Sequence, residues 1–103
     1  MKVQAAENEL DSYIKAIQHE YQDEAKVLNA LNESQKAWSK FRKTHCHAVY
    51  EMWSEGSIGN SIYASCLLTQ TKQRTHDLWV NYLTHWDSTP PVLPEPARDI
   101  DER

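Results

Sequence analysis

Residues 46–66, CHAVYEMWSEGSIGNSIYASC, open and close on the two cysteines of the chain and hold both of its glycines between them. Glu55-Gly56-Ser57-Ile58-Gly59-Asn60 is the clearest turn signal in a sequence otherwise free of glycine. Gly56 is expected in a left-handed conformation that closes one helix, with Ser57 or Asn60 capping the next. A tight turn there lays the flanking helices antiparallel. Cys46 then stands about 12 Å from the turn along one helix and Cys66 about 9 Å along the other. They are nearly level, as the short Cα separation of a disulfide demands. The bridge would close a loop of about 20 residues, contributing about 3 kcal/mol on a chain-entropy argument, and it implies an oxidising compartment. Two free core thiols in a cytosolic protein are the alternative.

Working outward, the turn is preceded by one long helical pattern and followed by another. Over residues 24–54, Val27, Leu28, Leu31, Trp38, Phe41, His45, Val49 and Met52 form a stripe with spacings mostly of three and four. A helix of that length, about 46 Å, calls for a bundle or coiled arrangement to cover it. Over residues 61–85, Ile62, Tyr63, Cys66, Leu67, Leu78, Tyr82 and Leu83 are the expected inward positions. A first helix over about residues 4–21 carries Leu10, Tyr13, Ile14, Ile17 and Tyr21, with Asp23 the candidate cap of the helix that follows. Pro90 and Pro91 end the helical part, because neither can donate a backbone bond. Residues 88–103 are expected to be an extended, disordered tail, and 4–87 the folded domain. The fold class is therefore all-α: about three helices, the second long, braced by one disulfide.

The composition excludes several function classes. With 103 residues the chain is one domain. A net charge of −4 argues against a nucleic-acid partner, which would need a basic face, and favours cationic partners. No run approaches the roughly 20 apolar residues of a membrane span. Met1-Lys2-Val3 leads directly into polar sequence, so no signal peptide is expected within the chain, and export is expected to have followed removal of one. His45, Cys46 and His47 are consecutive on a helix, pointing about 100° apart, so they do not converge on a metal ion. The cysteines lack the Cys-x-x-Cys spacing of a redox pair. Nucleophile motifs and phosphate-binding glycine loops are absent, so neither an enzyme nor a cofactor is expected.

The polar residues interrupting the stripes carry more information. With Cys46 opposite Cys66, the antiparallel register sets Trp38 opposite Arg74, Arg42 opposite Gln70 and Gln35 opposite Asp77. Buried polar groups need partners, so Gln35, Trp38, Arg42, Gln70, Arg74 and Asp77 are expected to form one structural network, with Arg74 stacked on Trp38. A second candidate surface is the turn itself. Tyr50, Trp53, Glu55, Gly56, Ser57 and Ile58 would form a preorganised wedge for a partner, unless the aromatics pack on the first helix.

Ser34-Gln35-Lys36-Ala37-Trp38-Ser39-Lys40-Phe41-Arg42, continued to Cys46, resembles the Gln-x-Ala-Trp-x-x-[Phe/Tyr]-Arg…Cys signature of the lysozyme inhibitor LprI family. Gly56-Ser57-Ile58, Ile62-Tyr63-Ala64-Ser65-Cys66, then Thr69 and Arg74 before Leu78, are similar to its second half. Leu10 and Tyr13 resemble its Leu-x-x-Tyr. The resemblance implies a small helical domain of the bacterial periplasm or cell surface, with its cysteines bridged and lysozyme as its target. It brings no catalytic residues, and it leaves the proline-rich tail outside. The expected partner is a protein, a basic lysozyme or another cell-wall hydrolase. An envelope assembly module, including a homodimer, and an immunity protein against a secreted hydrolase are the alternatives.

Overall fold

The computed structural model describes residues 2–97. Three helices account for its regular structure: α1 (Lys2–Glu20), α2 (Ala25–Trp53) and α3 (Gly59–Tyr82), with no strand among the described residues. The all-α expectation and the bridged cysteines both hold: Cys46 and Cys66 are disulfide-bonded, with Cα atoms 5.6 Å apart.

α3 is the central element, and both other helices pack against it. Glu9 of α1 lies beside Lys72 of α3 and Tyr21 lies beside Tyr82, so α1 runs parallel to α3, while α2 runs antiparallel to it. The core gathers where all three helices overlap. Leu10, Tyr13, Ile17, Leu31, Leu78 and Leu83 are buried together, with Trp38, Trp79, Tyr82 and Leu93 around them. By that register Lys2 stands about level with Cys66. The hairpin beyond it is a two-helix arm that gives the molecule its long dimension of 49 Å.

This placement corrects the reading of the long stripe on α2. Leu31 and Cys46 are buried, but Phe41 is 51% exposed and Met52 80%. Periodicity marks a face as apolar but does not say which part of it a neighbouring helix covers; Met52 lies on the arm beyond α1, and Phe41 is left open although Arg42 beside it reaches Glu7 of α1. α3 shows the converse. Thr71 and Thr75 are fully buried, their hydroxyls donating to the carbonyls of Leu67 and Thr71 one turn back. Satisfied in this way, a threonine presents its methyl to the core.

The helix ends also differ from expectation. Neither Asp23 nor any other side chain caps α2, whose N-cap is Glu24. The reversal rests instead on Glu24 N donating to the Tyr21 carbonyl, with Tyr21 held by its hydroxyl on the Tyr82 carbonyl at 2.8 Å. α3 begins at Gly59 rather than Ser61 and ends at Tyr82 rather than His85, and its N-cap, Ile58, has no side-chain bond, so Ser57 and Asn60 do not cap it. Gly56 is not left-handed, for no described residue has positive φ. The chain leaves α2 through Ser54 and enters α3 through Ile58, both in the right-handed helical region, with Gly56 N donating to the Trp53 carbonyl.

The proline-rich segment departs from the disorder expected of it. Val92 N donates to the Leu83 carbonyl, the Trp79 indole to the Leu93 carbonyl and the Tyr13 hydroxyl to the Pro94 carbonyl, the last two at 2.7 Å. His76 pairs with Glu95 at 2.7 Å, and Pro96 is buried. Residues 92–96 thus strap α1 to α3. Prolines cannot donate, but the carbonyls of the segment accept from side chains, so it needs no ladder of its own. The remainder of the tail, 98–103, lies outside the described residues.

Candidate functional site

Two arrangements stand out, one at the boundary of the three-helix core and one at the end of the arm. At the boundary, Trp38 and Arg42 lie one turn apart on α2, and Arg74 approaches from α3. The Arg42 guanidinium carbon is 5.1 Å and that of Arg74 6.0 Å from the Trp38 ring centroid. Arg74 donates through Nε to Gln35 Oε1 at 2.9 Å and through Nη2 to Ser34 Oγ at 2.8 Å. Arg42 donates through Nη1 to Glu7 Oε2 at 3.0 Å and to Thr71 Oγ1 at 2.9 Å, tying all three helices at one point. Burial lowers the pKa of Arg74 from its ordinary value, opposed by the fields of Tyr82 and Asp77. The guanidinium remains charged at neutral pH. The buried Nε of Arg42 has no partner among the described residues.

Of the six residues expected in this network, the structure brings together Gln35, Trp38, Arg42 and Arg74. Gln70 faces another recess, shared with His45 and Val49, and Asp77 is exposed. Glu7, Ser34 and Thr71 were not foreseen. A buried arginine calls for a carboxylate partner, and that requirement was the signal available for Glu7, but its position depends on where α1 docks.

At the end of the arm, Tyr50 packs edge-on against Tyr63 of α3, with centroids 6.1 Å apart. It does not pack on α1. Met52, Trp53 and Ile58 are exposed, the latter two each at 48%, and Glu55, Gly56 and Ser57 share the same exposed turn. The turn is tight because Gly59 is a glycine: a Cβ there would lie 2.9 Å from the Trp53 carbonyl oxygen and 3.2 Å from Tyr50 Cε1. The result is an apolar tip with one carboxylate, held at the end of a disulfide-braced pair of helices. His45 stacks on Phe41 at 5.2 Å, and His47 lies 3.4 Å from Glu51. Among the described residues no cluster of histidine, cysteine and carboxylate side chains comes together as a metal site would require, and no helix is long and apolar enough to cross a membrane.

The family model described as lysozyme inhibitor LprI matches residues 1–78. The chain belongs to the LprI family. No curated protein and no solved structure matches it. The LprI match spans α1, α2 and most of α3, and so contains the disulfide, the arginine–tryptophan boundary and the tip. The strap at 92–96 lies beyond it.

Proposed function

We propose that this chain is an exported inhibitor that binds a lysozyme or related muramidase and blocks it sterically, without chemistry of its own. The observation that carries the reading is membership of the LprI family over residues 1–78. The tip adds a physical route. Muramidases cleave with two carboxyl groups in a cleft, and a narrow, preorganised protrusion bearing Trp53 and Ile58 can fill such a cleft at low entropic cost. Aromatic side chains of this kind anchor interfaces. A net charge of −4 steers the protein toward a basic target. The bridged cysteines favour the bacterial periplasm or cell surface as its location.

The test is cell-wall lysis by an animal-type lysozyme, titrated with the oxidised protein. Near-stoichiometric loss of lysis that weakens as salt rises, and that is relieved by Trp53→Ala or Ile58→Asp, is the expected result. Undiminished lysis at large excess would remove this target. A second reading, an assembly module that pairs with itself, is favoured by the exposed Phe41, Met52 and Trp53 on α2. It predicts a mass in light scattering that rises with concentration.

A further inference from the structure

Because α1 and α2 both pack on α3, they diverge from one another and leave an open groove of about 750 Å³ between them. That volume falls within the range of small-molecule sites, about 300–1,000 Å³. On the α2 side the groove runs from Asn29 to Arg42, about 20 Å at the helical rise. This is the length of a short linear oligomer rather than of a single small molecule.

The chemistry of the lining narrows the ligand class. Four side-chain amides, Gln4, Asn29, Asn32 and Gln35, face it together with the Asp11 carboxylate and the Trp38 indole. Asn29, Asn32 and Asp11 are exposed, so their donors and acceptors are open to exchange with a ligand. The lining carries three carboxylates, Glu7, Asp11 and Glu33, against two cations, Lys36 and Arg42. Arg42 is bonded to Glu7, and Lys36 sits 3.6 Å from Glu33 in an exposed pair. A lining with more negative than positive charge disfavours an anion, and a cationic peptide would find one carboxylate, Asp11, outside these pairs. Amides that donate and accept, beside the partly buried Trp38 indole, suit a ligand that is uncharged, rich in hydroxyl and acetamido groups, and able to lay C–H groups against an aromatic edge. We infer that the groove between α1 and α2 binds an N-acetylated oligosaccharide. The inference stands on the groove alone and does not depend on inhibition of lysozyme.

The four tryptophans of the chain, at 38, 53, 79 and 86, make a direct test possible. Each gives one indole N–H signal in an ¹⁵N-labelled spectrum, assigned by substitution to phenylalanine. Titration with N-acetylchitotetraose is expected to move the Trp38 signal and leave that of Trp53 at the tip in place. The double variant Asp11→Ala/Asn32→Ala, at exposed positions outside the arginine network, is expected to weaken binding about tenfold with an unchanged circular dichroism spectrum. A Trp38 signal unmoved at millimolar ligand, a shift confined to Trp53, or a double variant that binds as well as the parent would overturn the inference. Co-sedimentation with peptidoglycan sacculi stripped of their stem peptides separates the two sources of such a ligand: retention points to the wall, and binding of the soluble oligomer alone points to free fragments. Retention that requires the stem peptides would also overturn it.

Discussion

Gly59 illustrates how much one missing Cβ can decide. Replacing it with alanine sets a methyl group against the Trp53 carbonyl; Gly59→Ala is expected to destabilise the protein by about 1–3 kcal/mol, as overpacking does. Gly56→Ala, whose nearest neighbours would be 3.9 Å away, should leave the midpoint of thermal unfolding almost unchanged. If the two variants melt alike, the close approach at Gly59 has no energetic consequence. Tyr13 and Tyr21 carry a pH dependence. Burial raises both phenol pKa values, with Glu9 adding to the effect at Tyr13 and Glu24 and Glu20 at Tyr21. A group whose folded pKa lies above its unfolded value contributes stability that is complete below the unfolded value, about 10 for tyrosine, and that is lost as pH rises through the folded value. Urea denaturation between neutrality and strong alkali should therefore show stability falling from about pH 10 upward. Tyr13→Phe should make that fall shallower, and an equally steep fall in the variant would exclude Tyr13 as a source.

Among the elements, the outer α2–α3 arm is the least supported by packing. All six residues of the buried core cluster lie toward the other end of the molecule, so the arm depends on the Cys46–Cys66 bridge and the Tyr50–Tyr63 contact. Reduction is expected to cost about 3 kcal/mol on the chain-entropy argument and to act locally. In hydrogen exchange, amides over 47–63 should lose protection while those of α1 keep theirs. Simultaneous loss in both regions would mean that the arm and the core unfold as one unit. The turn itself was legible as a turn from its two glycines, but its conformation was not. Whether a helix ends in a left-handed residue or passes through a right-handed turn depends on how closely the two helices approach, which no local pattern encodes.

For the molecule as a whole, the strap joins the chain's C-terminal part to its first helix. Removing residues from Val92 onward deletes the partly buried Leu93, the buried Pro96 and the bonds from Tyr13 and Trp79. A loss of about 2–4 kcal/mol is expected from burial and unsatisfied donors together, read as a lower midpoint in chemical denaturation; an unchanged midpoint would show the strap to be energetically idle. By itself the sequence determined the three helices, the apolar stripe of α1, the hairpin, the level meeting of Cys46 with Cys66 and the approach of Arg74 to Trp38. All of these follow from helical periodicity and from one turn that sets an antiparallel register. Only the tertiary structure decided which part of α2 is covered, that Arg42 turns to Glu7 and Thr71 rather than Gln70, that buried threonines line α3, and that a proline-rich segment docks. Periodicity describes one helix at a time. Where α1 comes to rest against α3, and which carbonyls then meet the free hydroxyl and indole donors, depends on all three helices at once.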